Sequence, residues 1–460
     1  MSEEVYEAVA RATSGFVEAP AGCGKTEAIV RTVGSYCADR QLILTHTHAG
    51  VDALRQRFKK HEVATSKYHV DTIAGWAWGW VRKYPRSALY DGSIDLANWD
   101  DVYAAMSTLI QTGFVKQGIL NSYAGVIVDE YQDCTIPMHQ LITQLKDLLP
   151  CRILGDELQG VFGFRGQQLI GWQDVRREFV TDLGALRTPY RWIKAENRAL
   201  GDWLVNARPA FQQNLEPDFA ASPIVHKTIT YRELATELND LTNQKQGRIC
   251  VIGPKSRRLS PAIETGLVKR SYKILEPNEL PALRNLIKPL SDGTLQQKAT
   301  ASMSFIKETY GSISAADKTF IGKLLNGEGQ RPTRADRKKI CANYAEGATP
   351  QLLRDLLEYV ERQNKVNCKL RESISALKCI LEEHVLTGAD LRILYADEIA
   401  KRKYQSRSNI LRCIGSTLLV KGLEFDHAIV LRGSNWGNSK DLYVALTRGS
   451  KSVTLLDLAA

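Results

Sequence analysis

The 460-residue chain lacks several features that would place it in a specialised class of protein. It has no apolar run long enough to cross a membrane, and its acidic start, MSEEVYEAVA, does not have the pattern of a signal peptide. It also has no low-complexity tract. With 44% hydrophobic and 24% charged residues, the composition is that of an ordinary globular protein. We therefore expect roughly two to four domains and no association with a membrane.

Cysteine pairs and an excess of negative charge are also missing. The nine cysteines are scattered, and none of them forms a CxxC pair, so the spacing favours neither a zinc site nor a disulfide framework. A reducing, cytoplasmic environment fits this usage. The chain has 61 Lys and Arg against 51 Asp and Glu, which gives a formal net charge of +10. A polyanion is an expected partner, although net charge alone is weak evidence.

The pattern of apolar residues predicts an α/β fold with two parallel sheets. Strand-like runs separated by helical stretches occur in the first 195 residues at GFVEAP (15–20), QLILTHT (41–47), YHVDTI (68–73), GVIVDE (125–130) and CRILGD (151–156). Buried strands that alternate with helices form parallel sheets covered on both faces. A second set of strands is predicted at RICVIG (248–253), STLLVKG (416–422), HAIVLR (427–432) and SVTLLD (452–457).

The same patterning predicts how the domains are arranged along the chain. The first sheet domain would comprise residues 1–78 and 122–195, interrupted by a small helical insertion at 79–121. The second would comprise residues 196–276 and 405–460. It would be interrupted at 277–404 by a longer, mainly helical insertion that contains several Lys/Arg clusters.

The first predicted strand ends in APAGCGKT, which has the spacing of a phosphate-binding loop with Ala19 in place of the usual first glycine. Gly22 and Gly24 would let the backbone wrap closely around a phosphate chain. Lys25 would neutralise the β and γ phosphates, and the Thr26 hydroxyl would bind Mg²⁺. We predict that this loop binds the nucleotide through Ala19, Pro20, Ala21, Gly22, Cys23, Gly24, Lys25 and Thr26.

A second motif, VIVDEYQDCT at 126–135, places three carboxylates directly after a buried strand. Acids so close together repel one another, so they need a cation or a reaction at that place. If this strand neighbours the strand of the phosphate-binding loop, Asp129 would hold the magnesium of a bound ATP. Glu130 would then take a proton from the attacking water.

Four more motifs follow in the order LGDELQGVFGFRG (154–166), LRTPYR (186–191), STLLVKGLEFDHAIVL (416–431) and LYVALTRGSK (442–451). Together with the first two, they resemble the UvrD/Rep-like helicases of superfamily 1, in that family's order and over residues 19–451. The resemblance implies two RecA-like P-loop domains with ATP bound in the cleft between them. It also implies movement on single-stranded DNA in the 3′ to 5′ direction.

The resemblance implies roles at the triphosphate for residues outside the loop. Gln159 would sense the γ-phosphate and link the nucleotide to the DNA groove. Arg191 would bind the same phosphate, and Arg448 would reach it from the second domain. A planar guanidinium suits the charge that spreads over a transferring phosphoryl group. Tyr190 would stack on the adenine, and Glu424 would lie near the ribose or the metal-bound water.

Contacts with nucleic acid are implied for a second group of residues. Thr45 and Thr47, in LTHTHAG, stand where the family has a threonine motif at a strand end, and Thr72, in DTIAGW, fits the next DNA-contacting motif. Phe164, in FGFRG, would stack on a base in place of the family's Trp, with Arg165 beside it. Core packing is the alternative reading for each of these positions.

Two motif residues have an inferred coupling role, and two other positions depart from the family's pattern. Gln132 and Asp133 are inferred to hold the switch region that couples the nucleotide site to the nucleic-acid site. Val5 stands where the family has an adenine-reading Gln, so selectivity for adenine is in doubt. Leu418 stands where the family has a DNA-contacting His, which removes one expected hydrogen bond.

The sequence supports three functional hypotheses. The first is an ATP-dependent translocase or helicase that acts on single-stranded DNA, or on duplex with a 3′ tail. The second is a helicase-like regulatory subunit that senses nucleotide or DNA for a partner nuclease, similar in its compact architecture to the helicase-like subunit of the Gabija anti-phage system. The third is a P-loop ATPase unrelated to nucleic acid, which would require five further motifs to be coincidental.

Overall fold

A computed structural model describes the chain over residues 2–90, 99–160, 168–253, 266–268, 271–276, 280–311, 313–342, 347–362, 368–403, 410–433 and 436–459. Over these ranges the chain is α/β, with two six-stranded sheets and helices. The α/β class predicted from the sequence is confirmed. Within the described ranges, no helix combines the length and the apolar character needed to cross a membrane.

The described strands are β1 (Ser14–Glu18), β2 (Gln41–Thr45), β3 (Tyr68–Thr72), β4 (Gly125–Val128), β5 (Cys151–Gly155), β6 (Asp182–Ala185), β7 (Val225–Thr230), β8 (Ile249–Gly253), β9 (Lys273–Ile274), β10 (Arg412–Ser416), β11 (Phe425–Arg432) and β12 (Gly449–Ala459).

The described helices up to the second sheet are α1 (Ser2–Arg11), α2 (Lys25–Arg31), α3 (His48–Lys60), α4 (Ile73–Val81), α5 (Asp100–Ile110), α6 (Gly113–Ser122), α7 (Ile136–Lys146), α8 (Trp172–Glu178), α9 (Tyr190–Lys194), α10 (Arg198–Asn206), α11 (Arg208–Gln212) and α12 (Leu234–Gln244). The later ones are α13 (Pro281–Asp292), α14 (Leu295–Thr309), α15 (Ala315–Leu325), α16 (Ala335–Ala342), α17 (Pro350–Glu361), α18 (Arg371–Thr387), α19 (Leu391–Lys403), α20 (Thr417–Val420) and α21 (Ser439–Leu446).

The first sheet has the strand order β3-β2-β4-β5-β1-β6, and its neighbouring strands pair in parallel. Because parallel strands end at the same edge of a sheet, the segments that follow β1, β4 and β5 meet at one edge. The sequence analysis expected the acidic strand to neighbour the strand of the phosphate-binding loop. That expectation was wrong: β5 lies between β1 and β4, and so the turn after β5 lies between the loop and the acids.

Both faces of the first sheet are covered by apolar side chains. Val126 and Val128 of β4 belong to a core cluster on one face, and Ile127 belongs to a cluster on the other face. All three side chains are fully buried. This alternation explains why β4 reads as a continuous apolar run, and it fixes the position at which the polar residues begin.

The second sheet has the order β7-β12-β11-β8-β10-β9. Strands β11 and β12 pair in parallel, as do β8 with β10 and β10 with β9. One predicted strand, at 416–422, was wrong. The strand ends at Ser416, and residues Thr417–Val420 form the short helix α20 before Gly422, whose φ is +79°. A short apolar run fits a strand and a helix equally well, and periodicity cannot separate the two.

The chain divides into two compact units, Met1–Thr228 with Glu424–Asp457, and Ile229–Leu423 with Leu458–Ala460. The first unit includes the whole of the first sheet. In the second unit the described part of residues 281–403 consists mainly of helices, α13 to α19. The domain boundaries given above stay predictions.

A buried residue of β4 tests this core. Replacing Ile127 with Ala removes a fully buried side chain, and such changes cost about 2–5 kcal/mol of folding free energy. We expect a clearly lower melting temperature for Ile127→Ala. Ile393 in α19 is 61% exposed, so Ile393→Ala should change stability by less than about 0.5 kcal/mol. Equal effects of the two substitutions would contradict the proposed core.

Candidate nucleotide site

The segment between β1 and α2 has the backbone that a phosphate-binding loop requires. Gly22 and Gly24 have φ values of +69° and +89°, which side chains disfavour. Space is also short: a Cβ on Gly22 would lie 2.7 Å from the ring of Trp192, and one on Gly24 would lie 3.1 Å from the ring of Tyr190. Ala19 does not have a positive φ, so alanine fits this position where a glycine was expected.

Lys25 is buried at the start of α2 and faces the acidic turn. Its Nζ atom lies 2.8 Å from Oε2 of Glu130, at the end of β4. Burial lowers the pKa of Lys25, but the carboxylates of Glu130 and Asp129 outweigh that effect, so the pKa is raised overall. The lysine is therefore a charged ammonium group, held where it can bind an anionic ligand.

The acidic turn after β4 is both buried and strained. Asp129 is 4% exposed, and burial, with the nearby charge of Glu130, raises the pKa of its carboxyl group to about 7. Glu130 has a left-handed backbone with φ of +56°, and its N–H donates to Oδ1 of Asp129 at 2.9 Å. A residue other than glycine in this conformation stores about 1–3 kcal/mol of strain, and such residues cluster at functional sites.

The hydrogen bonds of Gln132 explain why an amide side chain lies among these acids. Its Nε2 group donates to Oε2 of Glu130 at 2.5 Å, and its Oε1 atom accepts the backbone N–H of Asp156 at 2.9 Å. Asp156 directly follows β5. A carboxylate could only accept, whereas the amide donates on one side and accepts on the other, and so it connects the ends of β4 and β5.

Asp156 is fully buried and collects hydrogen bonds from several parts of the site. One carboxylate oxygen accepts the N–H of Ala21, in the phosphate-binding loop, at 3.2 Å, and Nε2 of Gln159 at 2.9 Å. The other accepts the N–H of Leu158 at 3.2 Å and Nη1 of Arg208 at 2.8 Å. A single carboxylate thus connects the loop, the turn after β5 and helix α11.

Arg208 extends this network to the helix before Arg448. Its Nη2 group donates to Oε1 of Glu18, at the end of β1, at 2.6 Å, and its Nη1 group donates to the hydroxyl of Tyr443, in α21, at 2.9 Å. Burial lowers the pKa of Arg208, but the charge of Asp156 outweighs burial and the pKa is raised. The guanidinium of Arg208 is therefore charged although the residue is only 6% exposed.

Glu18, Asp156, Arg208 and Tyr443 were not predicted as site residues. Asp156 carried a usable signal, because it follows a buried strand directly, as Asp129 does. Arg208 belongs to no recognisable motif, and Tyr443, although it lies in LYVALTRGSK, gave no sign of a partner so far away in the sequence.

Arg448 lies beside Gln159. Its Nη2 group is 3.4 Å from Oε1 of Gln159 and donates to Oγ1 of Thr447 at 2.7 Å, while Nε donates to the carbonyl of Val444 at 2.9 Å. The residue is 1% exposed. Burial and the neighbouring charge of Arg191 lower the pKa of Arg448 to about 10. Two arginines are thus held close together, an arrangement that an anion between them would stabilise.

Arg191 is connected both to the phosphate-binding loop and to Glu424. Its backbone N–H donates to the carbonyl of Gly22 at 3.2 Å, and its Nη2 group lies 2.5 Å from Oε1 of Glu424. Burial raises the pKa of Glu424, but the charge of Arg191 outweighs it and lowers the pKa overall. Tyr190, predicted to stack on the base, is 38% exposed with its ring beside Gly24.

Three of the residues predicted to contact nucleic acid, Thr45, Thr47 and Thr72, lie at or just after the ends of β2 and β3. The side chains of Thr47 and Thr72 cap α3 and α4 by accepting a backbone N–H from the first turn of each helix. Thr45 and Thr72 are only 1% and 4% exposed. Phe164 and Arg165 fall outside the described residues. The roles of all five in binding nucleic acid stay predictions.

Comparison with known proteins bears on the first part of the chain. Residues 2–165 match the model of the AAA domain. The match spans the phosphate-binding loop, the acidic turn and the turn after β5. It supports a nucleotide-binding domain built around the first sheet. No curated protein matches the chain.

Two solved structures that the chain matches are of arterivirus nonstructural protein 10, named as a helicase. One crystal structure is 10% identical over 99% of this chain and 62% of that chain, with a TM-score of 0.39. A complex of the same protein with DNA is 16% identical over 56% of this chain and 51% of that chain, with a TM-score of 0.29. The present chain thus spans less than two thirds of the length of either structure.

The network around Asp156 leads to a stability prediction. Arg208→Ala leaves a buried carboxylate without its main cation, and removing one partner of a buried pair costs about 3–5 kcal/mol. Tyr443→Phe removes only a hydroxyl and should cost about 0.5–1.5 kcal/mol.

Thermal unfolding measures both changes. Arg198, whose ion pair with Asp202 is exposed, provides the matched control, and Arg198→Ala should change stability by less than about 1 kcal/mol. If Arg208→Ala were as mild as Arg198→Ala, Arg208 would not hold the network together.

Proposed function

We propose that the chain is an ATP-dependent translocase or helicase on single-stranded DNA, of the UvrD/Rep-like kind, moving 3′ to 5′. One observation carries the proposal. Around a single phosphate-binding loop the structure gathers Lys25, Glu130, Gln159, Arg191 and Arg448, linked through hydrogen bonds and ion pairs. Each comes from a different motif, and each was predicted to act on the same triphosphate, Gln159, Arg191 and Arg448 through the family resemblance.

The donor groups near the loop suit the Mg²⁺ that accompanies ATP. Thr26 lies in the first turn of α2, and Asp129 follows β4. A hydroxyl and a carboxylate are hard oxygen ligands of the kind that Mg²⁺ prefers. Burial, together with the nearby charge of Glu130, raises the pKa of Asp129, and a cation bound there would offset both effects. Mg²⁺, when bound, would neutralise charge on the phosphates and orient them.

The ion pair between Lys25 and Glu130 supports a specific order of events. A triphosphate in the loop would compete with Glu130 for the ammonium group of Lys25. Release from Lys25 leaves Glu130 free to accept a proton from the attacking water. Arg448 and Arg191 would stabilise the charge that builds up on the transferring phosphoryl group. In this scheme nucleotide binding itself activates the base.

Gln159 provides the proposed link between the nucleotide and DNA. Its side chain donates to Asp156 and accepts from Arg448. It also ends the short 3₁₀ helix Glu157–Gln159, and only Gly160 separates it from the segment 161–167, in which Phe164 and Arg165 are predicted to contact DNA. A change at the γ-phosphate would therefore reach that segment through a single side chain.

A second candidate function is kept because of Val5. This residue, at the position of the family's adenine-reading Gln, is 8% exposed and packs in the apolar core. It offers no hydrogen bond to a base, which suits a sensor of broad nucleotide specificity that regulates a partner nuclease in anti-phage defence. Co-purification with a nuclease, together with failure to displace a strand from duplex carrying a 3′ tail, would favour this function over the motor.

Two substitutions in the nucleotide site test the main proposal. In wild type, single-stranded DNA should stimulate ATP hydrolysis strongly. Lys25→Ala should abolish both hydrolysis and nucleotide binding, because it removes the cation in the loop. Arg448→Ala should lower turnover by about 10³-fold or more but retain nucleotide binding.

Turnover is measured with and without single-stranded DNA, and binding with a fluorescent ATP analogue. Arg362, an exposed residue directly after α17, provides the control, and Arg362→Ala should behave as wild type. Stimulated hydrolysis that survived in Lys25→Ala would rule out this site. A DNA-independent rate in wild type would instead favour an ATPase unrelated to nucleic acid.

A further inference from the structure

Three aromatic rings form a patch between the end of α4 and the start of α6, and neither the nucleotide site nor the predicted DNA motifs include it. We call Trp80, Tyr84 and Phe114 the aromatic patch. The rings of Trp80 and Tyr84 are nearly parallel, with centroids 6.3 Å apart, and those of Tyr84 and Phe114 meet edge to face at 5.1 Å. The three rings therefore form a continuous surface.

The outer rings of this patch face solvent. Tyr84 is 39% exposed and Phe114 is 50% exposed, whereas Trp76, one turn before Trp80 on α4, is 3% exposed and belongs to the core. Trp80 lies between the two environments, with its ring near Gly118 of α6. Trp76 thus accounts for packing under α4. Packing leaves 39% of the surface of Tyr84 and 50% of that of Phe114 accessible to solvent.

The charged residues in the two described segments that supply the aromatic patch have one sign. Residues 73–90 and 113–123, which supply all three rings, contain no Asp or Glu. They contain four cations, of which Arg82, Lys83 and Arg86 are exposed and Lys116 is partly buried.

The helix packed between α4 and α6 does not cancel this charge. Helix α5 carries Asp100 and Asp101 in its first turn, and its last residue, Ile110, precedes Phe114 by four positions. The 11 residues of α5 separate its two ends by about 15 Å. The two acids of α5 therefore lie at the opposite end of that helix from Phe114, whereas the described segments that supply the patch carry only cations.

We propose that the aromatic patch is a binding site for single-stranded nucleic acid, with bases stacking on Tyr84 and Phe114 and phosphates paired with Arg82, Lys83 and Arg86. Exposed rings between cations match a polyanion whose bases are unpaired. Duplex DNA hides the faces of its bases, and an apolar peptide would gain nothing from the cations. The chemistry thus selects a single strand.

The place of the patch in the fold agrees with this ligand. Helix α4 begins directly after Thr72, a predicted contact for nucleic acid, and its nine residues span about 13 Å. A single strand that passes Thr72 along α4 arrives at the patch within a few nucleotides. This proposal rests on the proposed function in one respect, since both have single-stranded nucleic acid as the ligand. The affinity of the patch for that ligand can be measured without ATP hydrolysis.

The test measures the affinity of the full-length chain for fluorescein-labelled dT20 in the absence of nucleotide. The double substitution Tyr84→Ala/Phe114→Ala should weaken binding by about tenfold or more, because it removes both rings on which the bases are proposed to stack. Tyr84→Phe/Phe114→Tyr keeps both rings and should bind as wild type. Tyr231, 56% exposed and distant in sequence, gives the control Tyr231→Ala, which should also bind normally.

Charge is tested separately. Arg82→Glu/Lys83→Glu should weaken binding and flatten its dependence on salt concentration, since fewer counterions are released. Basal ATP hydrolysis without DNA and the melting temperature should stay at wild-type values in every variant. These two readouts exclude a general defect in folding.

The outcomes separate this site from the proposed function. Wild-type affinity for dT20 in Tyr84→Ala/Phe114→Ala, or an equal loss of affinity for blunt duplex, would overturn the stacking site. In that case, stimulated hydrolysis in wild type would still support the motor. Conversely, weakened dT20 binding in this variant, with no stimulation of hydrolysis in wild type, would support the site and reject the motor.

Discussion

The candidate site depends on one buried carboxylate. Asp156 is fully buried, and a charge in that position persists only when it is paired and hydrogen-bonded. Its two oxygens accept from the loop at Ala21, from the turn after β5 and from Arg208. Those bonds fix the phosphate-binding loop, Gln159 and helix α11 relative to one another. Arg208 then carries the constraint to Tyr443, five residues before Arg448.

Around Asp156, the candidate catalytic residues have conformations and ion pairs that a bound ligand would change. Glu130 has a left-handed backbone and is paired with Lys25, and Arg448 lies near a second arginine that lowers its pKa. Each arrangement has a cost, in backbone strain or in charge repulsion. An anion bound between the loop and the arginines would relieve part of that cost. Asp156 thus joins the parts of the site, and the strained or repelling groups around it are those that a bound anion would affect.

Much of the site could be predicted from the sequence because its groups follow buried strands directly. Asp129, Glu130 and Gln159 all belong to recognisable motifs of this kind. The strand order could not be predicted, since no local pattern shows that β5 separates β1 from β4. The short helix α20 was mistaken for a strand because its three apolar residues, Leu418 to Val420, fit either structure. Arg208 was missed because its role comes entirely from partners brought close by the fold.

The most direct test of the central claim is the ATP turnover of Asp156→Asn, measured together with its affinity for ATP. Asparagine keeps the shape of the side chain but removes the charge that holds Arg208 and Ala21. Losing a charge-assisted hydrogen bond costs about 1.5–3 kcal/mol, so we predict weaker ATP binding and turnover lower by about tenfold or more. The exposed Asp174 gives the control Asp174→Asn, for which both quantities should stay at wild-type values. Wild-type binding and turnover in Asp156→Asn would contradict the account.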